Sequence, residues 1–178
     1  MHRGFLVFAL LSLSAAGLSK TQDGAGAALE QIRTLAGDWE GTFEWTGSRS
    51  GAGNMSATYY QTGNGSAVVE DLAIGGVRSM TSVYHLDGAD LRMTHYCAAQ
   101  NQPRLKAQRI DMTQGAIDFV LVDVTNLRSP DAPHVDGLEM RFPDGDHLVL
   151  TFLFRSGDQQ SREQIKLMRV RSNPADKR

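Results

Sequence analysis

This chain has few of the features that usually identify the function of a small protein. Its single cysteine, Cys97, excludes a disulfide within the chain. The formal net charge of −2 argues against a nucleic-acid-binding protein, which needs a basic face to neutralise phosphates. The sequence contains no Gly-rich phosphate loop, no Ser–His–Asp signature and no zinc motif. Its function must therefore be inferred from the fold and from the side chains that the fold places together.

Length and apolar content favour one domain that is stabilised by its hydrophobic core. The chain has 178 residues, and 41% of them are hydrophobic. A domain of this size buries roughly two-thirds of the surface that its unfolded chain exposes, so it needs no disulfide or structural metal to fold. After the N-terminal region, no apolar run approaches the roughly 20 residues that a membrane-spanning helix requires.

The first residues have the pattern of a secretory signal peptide. His2 and Arg3 form a short basic region, and residues 5–13 form an apolar run that is too short to span a bilayer as a helix. Residues 14–17 are small, as cleavage requires, and the absence of a following cysteine excludes lipoprotein processing. We therefore predict a signal peptide at residues 1–19 and export to the bacterial periplasm or the extracellular space. A retained membrane anchor is the alternative.

The next segment predicts a linker and then a short helix. Residues 20–26 are polar and contain glycine, which indicates a flexible linker. Residues 27–36 place apolar side chains at helical spacing, and Gly37 can end the helix. We assign the folded domain to residues 27–171 and predict a disordered tail at residues 172–178.

After this helix the apolar period changes to two, as in β-strands. Ten such runs are separated by short turn segments rich in Gly, Asn and Asp. The predicted strands cover residues 38–46, 55–62, 66–74, 77–86, 89–97, 104–112, 116–125, 135–142, 147–155 and 160–171. Consecutive short strands with tight turns predict an all-β fold, an up-and-down antiparallel barrel of about ten strands with a short N-terminal helix. A two-sheet sandwich is the alternative.

The start of the first strand resembles a known superfamily. Gly37-Asp38-Trp39 follows the predicted helix, like the Gly-x-Trp that opens the first strand of the calycins, which include the lipocalins. This resemblance implies that Trp39 plugs one barrel end and that Arg169 of the last strand stacks on it. Residues 91–97 and 101–104 are most similar to a DUF1579-like group of exported bacterial proteins of unknown function. The resemblance therefore implies a lipocalin-like barrel but attaches no activity to it.

The side chains of one predicted hairpin can be assigned to a face. A two-residue turn near Gly88 places two alternating sets on the same side of the sheet. These sets are apolar on the whole, so we predict that they face the barrel interior: Met80, Ser82, Tyr84 and Leu86, and Leu91, Met93, His95 and Cys97. His85 is then predicted to point outward.

Five residues are the candidates for contacting a ligand. Tyr84, Met93 and His95 would line an interior cavity, and Asn101 and Arg104 would lie at its mouth. Arg104 would bind a carboxylate or phosphate there. Each of these side chains also fits an ordinary role in packing or in closing a turn, and that alternative stays open.

Two further residues have reactive side chains. Cys97 and His95 are weak catalytic candidates, as a nucleophile and its activating base, but such a pair needs direct hydrogen-bond reach. Otherwise Cys97 packs as a small apolar side chain and His95 bonds a neighbour.

Glu70 alternates with Val68 and Leu72, while Asp71 alternates with Val69, so the pattern leaves the buried face open. Burial of Glu70 would be costly unless a partner compensates its charge, so we predict a paired structural carboxylate.

We predict that the protein is an exported barrel that holds a small apolar or amphipathic molecule in its interior. One alternative is a hydrolase or isomerase that uses His95 as acid and base. The other is an interaction protein whose barrel is filled by side chains. We predict no metal and no cofactor. The predicted fold also resembles the haem-binding barrels of the nitrobindin type, and that resemblance implies a haem-ligating histidine near the C-terminus; haem is disfavoured because residues 160–171, the last strand, contain no histidine. The oligomeric state is left open.

Overall fold

The computed structural model describes residues 16–171 of the chain. It contains one α-helix, ten β-strands and a single 3₁₀ turn at Gly63–Gly65. The helix is α1 (Ala16–Arg33), and the strands are β1 (Gly37–Gly47), β2 (Gly51–Thr62), β3 (Ala67–Ile74), β4 (Val77–Asp87), β5 (Asp90–Tyr96), β6 (Gln102–Asp111), β7 (Ala116–Thr125), β8 (His134–Arg141), β9 (His147–Ser156) and β10 (Gln159–Arg169).

The strands form a closed antiparallel barrel in which each strand pairs with the next along the chain. Closure comes from β1 and β10, which pair from Trp39 opposite Arg169 to Gly47 opposite Ser161. A Cβ atom at Gly41 would lie 1.8 Å from the backbone oxygen of Lys166, so this seam requires glycine at position 41. The predicted up-and-down barrel is confirmed, and the sandwich alternative is wrong because no edge separates two sheets.

The strand boundaries lie within two residues of the predicted ones, except in β2. This strand begins at Gly51, whereas residue 55 was predicted. Residues 51–54 have the composition of a turn, but they pair with the end of β1, where Trp45 lies opposite Gly51. Backbone pairing with a neighbouring strand outweighs the weak β-propensity of these residues.

The helix starts earlier than predicted. Residues 20–26 belong to α1 and do not form the predicted flexible linker. Glycine is a poor helix former, but Ala25 and Ala28 are buried together with Leu29 and Ile32 in the same core as the barrel. This burial favours a helical backbone that propensity alone does not predict. Residues 1–15 of the predicted signal peptide and the predicted tail at 172–178 lie outside the described residues.

Trp39 and Arg169 join the helix to the barrel seam. Trp39 is buried and donates from Nε1 to the backbone oxygen of Leu35 at 2.8 Å. The Arg169 guanidinium lies 4.3 Å from the ring centroid of Trp39, so the predicted stacking is present. Arg169 also donates to the backbone oxygens of Thr34 and Ala36 at 2.8 and 2.9 Å. These carbonyls follow the end of α1, where backbone acceptors lack helical partners. We call this end of the barrel the helix end.

The middle of the barrel is filled by side chains. Met93 and Phe152 are at most 1% exposed to water, and Tyr84, Leu150 and Ile165 are fully buried. Since an enclosed void large enough for water would leave part of their surface accessible, no such void lies beside them. The predicted ligand position in the middle of the barrel is therefore already occupied by the protein itself.

Within residues 16–171, no helix is both long and apolar enough to cross a membrane.

Candidate functional site

The pocket of greatest chemical interest lies at the end of the barrel opposite α1. It has a volume of about 390 Å³. Its walls come from the ends of β1, β3, β4, β5, β9 and β10 and from the loops between them. We call it the mouth pocket, and it is lined by Phe43, Trp45, Arg49, Ile74, Ser79, Met80, Cys97, Ala98, Ala99, Pro133, Phe154 and Glu163.

A larger depression of about 520 Å³ lies on the outer wall, around Gly41, Asn54 and Gly76. Its charged residue, Glu40, is exposed, and its lining comes from β1, β2, the end of β3 and the turn that follows β3. An open groove of this kind offers a ligand little burial, so the mouth pocket is the better candidate site.

Aromatic side chains form one wall of the mouth pocket. Phe43 and Trp45 alternate along β1 and therefore share its inner face. The rings of Trp45 and Phe154 meet edge to face, with their centroids 4.9 Å apart. Arg49, from the loop between β1 and β2, places its guanidinium 4.9 Å from both of these ring centroids. Its charge is thus held against the aromatic wall of the pocket.

Glu163 is the buried charged residue of the mouth pocket. It lies on β10 opposite Trp45 of β1 and Phe152 of β9, and only 3% of its surface is exposed. Burial raises the pKa of Glu163 to about 7, although the positive charge of Arg49 and a hydrogen bond from Trp45 oppose the rise. Its Oε2 atom has no hydrogen-bond partner among the described residues. Unlike His95, Glu163 lines a pocket, so its unpartnered acceptor lies beside space that a ligand can enter.

Glu163 is not among the site residues predicted from the sequence, although the alternation of β10 indicates that its side chain lies inside the barrel. Ser161, Glu163, Ile165 and Leu167 alternate along β10, and all four are buried. The same alternation that places Ile165 inside therefore places Glu163 inside. Arg49 had no such signal, because it lies in a loop that only the folded barrel positions over the pocket.

Cys97 lines the mouth pocket, but the predicted reactive pair with His95 is not formed. The Cys97 Sγ accepts a hydrogen bond from the backbone N–H of Ala99 at 3.4 Å. His95 instead uses Nδ1 toward Ser82 Oγ, at 2.9 Å. Burial raises the pKa of the Cys97 thiol, which disfavours the thiolate. The geometry therefore contradicts a Cys97 nucleophile activated by His95.

His95 lies deeper, with no exposed surface. Its ring packs against that of Phe152, with centroids 5.0 Å apart. Burial lowers the pKa of His95 to about 4, so the imidazole is neutral near neutral pH. Its Nε2 atom has no partner among the described residues. A group so enclosed cannot exchange protons with a substrate unless the barrel opens.

A buried carboxylate network occupies the interior next to His95. It consists of Glu70 and the residues hydrogen-bonded to it, directly or through Ser82: Tyr59, Ser82, Tyr84 and His95. The hydroxyls of Tyr59 and Tyr84 donate to Glu70 Oε2 at 2.5 and 3.0 Å, and Ser82 donates to Oε1 at 3.1 Å. All five side chains are at most 1% exposed. The predicted pairing of Glu70 is confirmed, and the structure places its side chain inside the barrel.

The carboxylate network is a packing element rather than an open site. Desolvation raises the pKa of Glu70, and the three hydroxyl hydrogen bonds oppose that rise. Tyr84 and Met93 face inward as predicted, but Tyr84 is committed to Glu70, and Met93 has only 1% of its surface exposed. Neither is available to a ligand without rearrangement.

Asn101 and Arg104 take different positions. Asn101 is buried in the loop after β5, where it donates to the backbone oxygen of Pro133 at 2.9 Å. Arg104 points to the outer wall and binds Asp123 of β7 through Nε, at 2.5 Å, and through Nη2. The prediction that Arg104 lies at the cavity mouth is wrong. Because β6 begins at Gln102, Pro103 and Leu105 take the inward positions and Arg104 lies between them.

The sequence predicts that the protein binds no metal, and this stays a prediction. Among residues 16–171, no group of three or more His, Cys, Asp or Glu side chains is placed to hold a metal ion.

Comparison by sequence does not identify a family. No family model and no curated protein matches the chain. The predicted likeness to the DUF1579-like group therefore stays a prediction.

Comparison by structure identifies proteins with a similar fold. Rv2717c from M. tuberculosis is 18% identical, with a TM-score of 0.52 over 81% of this chain and 98% of that one. A protein of unknown function from the DUF3598 family of Nostoc punctiforme is 15% identical, with a TM-score of 0.55 over 79% of this chain. The match spans about half of that protein, 49% of its length. At these identities the similarity is one of barrel fold.

Proposed function

We propose that this protein binds a small, largely apolar molecule in the mouth pocket. The observation that carries this proposal is the pocket itself, an aromatic-walled site of about 390 Å³ that contains one buried carboxylate, Glu163, with an unpartnered oxygen. Ligand sites are typically apolar concave pockets of roughly 300–1,000 Å³ with a few placed polar groups. The ligand lies at the barrel end, because side chains fill the middle.

The proposal also covers the relatives of the protein and the compartment in which it acts. The chain is a calycin-like barrel related to the DUF1579-like exported proteins, as Trp39, Arg169 and residues 91–104 suggest. It acts in the periplasm or outside the cell, since residues 1–19 have the pattern of a signal peptide. No observation at His95 or Cys97 favours the alternative of a hydrolase or isomerase.

Binding of a neutral apolar fluorophore tests the proposal. N-phenyl-1-naphthylamine brightens in an apolar site, and we expect saturable binding to the folded protein. Ala99 lines the pocket, so Ala99→Trp should fill it and weaken binding at least ten-fold. Val122→Trp is the matched control, because Val122 is 48% exposed and does not line the pocket. Equal binding by both variants, or no binding by the natural protein, would refute the proposed function.

A further inference from the structure

The mouth pocket contains two opposite charges that do not neutralise each other by contact. Glu163 lines the pocket from β10, and the guanidinium of Arg49 lies over two aromatic rings of its wall. Within residues 16–171, no ion pair joins Arg49 to Glu163 or to another carboxylate. The two are close enough for the charge of Arg49 to lower the pKa of Glu163. A space bounded by both charges is therefore left for a ligand's polar group.

Glu163 supplies the acceptor side of this space. The Oε2 atom of Glu163 is buried and has no hydrogen-bond partner among the described residues. A buried polar atom without a partner costs free energy, which a donor on the ligand recovers. The ligand should therefore present an N–H or O–H to Glu163.

Arg49 supplies the donor side. Its guanidinium lies over the faces of Trp45 and Phe154, and such stacking leaves the N–H groups free along the guanidinium edge. Those donors suit a carbonyl or a similar acceptor. The ligand should therefore present an acceptor beside its donor.

The balance of charge decides among possible head groups. An ammonium would pair with Glu163 but would add a second positive charge near Arg49. A carboxylate would pair with Arg49 but would face Glu163 unless that group takes up a proton. A neutral head satisfies both residues and brings no uncompensated charge into an apolar pocket.

We infer that the mouth pocket takes an amphipathic molecule with a neutral head group. This head group carries a hydrogen-bond donor and an acceptor on the same carbon, as a primary amide does. The donor binds Glu163, and the acceptor binds Arg49. This inference rests on the proposed function, since it specifies the ligand of the same pocket. The apolar tail then lies against Phe43, Met80 and Phe154.

Four probes built on an eight-carbon chain test the head group: octanamide, methyl octanoate, octylamine and octanoate. Each is titrated against protein loaded with N-phenyl-1-naphthylamine at about pH 8, above the pKa near 7 of Glu163. We expect octanamide to compete at least ten-fold more tightly than methyl octanoate, which has the acceptor but no donor. Octylamine and octanoate should also be weaker than octanamide, because each meets a like charge.

Two variants distinguish specific recognition from a general effect on the fold. Glu163→Gln removes the negative charge and should improve octanoate binding several-fold. Arg49→Gln removes the positive charge and should improve octylamine binding instead. A misfolded pocket would weaken every probe, so a gain in affinity for one charge type reports the head-group contact.

The pH dependence adds a third measurement. The titratable and charged groups that face Glu163 are the Arg49 guanidinium and Cys97, whose raised pKa keeps its thiol neutral. Octanoate should bind the natural protein more tightly as the pH falls through about 7, because Glu163 then takes up a proton. Glu163→Gln should remove this dependence.

The outcomes separate the two proposals. If the fluorophore itself does not bind, the proposed function fails. If the fluorophore binds but the four probes compete equally, or none competes, the pocket binds apolar molecules and the head-group inference is overturned.

Discussion

Replacing Glu70 by glutamine should make the folded protein less sensitive to pH without breaking the carboxylate network. Glu70 accepts hydrogen bonds from Tyr59, Tyr84 and Ser82 and has no exposed surface. A glutamine can turn its carbonyl toward the two tyrosine hydroxyls and its amide toward Ser82. Ser82 can then donate to His95 Nδ1 instead of accepting from it. Every hydroxyl in the network keeps a partner.

The sign of the pH effect follows from the direction of the pKa shift. Burial raises the pKa of Glu70 above the 4.5 of an exposed carboxyl, so the folded protein holds this proton more tightly than the unfolded chain does. The resulting stability is fully present below pH 4.5 and is lost as the pH rises through the folded pKa. Within that window the loss is at most about 1.4 kcal/mol per pH unit for one proton. Glu70→Gln has no such loss.

Glu70→Leu is the matched control, because it removes the acceptor as well as the charge. Tyr59 and Tyr84 then keep buried hydroxyls with no partner in the network, while Ser82 still has His95. A buried polar group left unpaired costs about 1–3 kcal/mol, so the two tyrosines together cost about 2–6 kcal/mol at every pH. That is a large part of the stability of a typical domain, which is about 5–15 kcal/mol.

Urea denaturation followed by far-ultraviolet circular dichroism measures all three proteins across the range from about pH 4.5 to 8.5. The stability of Glu70→Gln relative to the natural protein should increase with pH from 4.5 upward. Parallel curves for these two proteins would show that the folded state does not hold the proton of Glu70. A glutamine variant as unstable as the leucine variant would show that the network does not rearrange as described.

Three further outcomes follow from the geometry. The ring of His95 should stay neutral down to about pH 4, and above the folded pKa of Glu70 it should carry its proton on Nδ1, because Ser82 then donates its own hydrogen to the carboxylate; NMR of the ring nitrogens checks this. Arg169→Met should lower the free energy of unfolding by about 2–5 kcal/mol in urea titrations, since it loses the stacking on Trp39 and the bonds to the carbonyls after α1. The buried Cys97 thiol should react with iodoacetamide far more slowly in the folded protein than in denaturant, and equal rates would contradict its burial.

Local sequence pattern predicted the strands and their inner faces. In the hairpin of β4 and β5, the two-residue turn at Gly88 and Ala89 sets the register that pairs Ser82 with His95 and Tyr84 with Met93. Once a turn fixes the register, the period of two decides which side chains share a face. No information from distant parts of the chain is needed for that step.

The same local reasoning failed where distant segments determine the structure. The helical state of residues 20–26 depends on the burial of Ala25 and its neighbours against the barrel, and two glycines in that segment point the other way. Arg104 was expected at the mouth because it follows a loop, but its pairing with Asp123 of β7 lies on the outer wall.

The sequence by itself determined an antiparallel meander and the inward position of His95 and Cys97, because periodicity and short turns act over neighbouring residues. The stacking of Arg169 on Trp39 was implied by the resemblance to the calycins and not by the local pattern. Only the tertiary structure decided that side chains fill the middle of the barrel, because packing depends on how volumes from all ten strands fit together. It also decided where the accessible pocket lies. Arg49 and Glu163 lie near opposite ends of the domain's sequence, and they line one pocket because β1 and β10 pair to close the barrel.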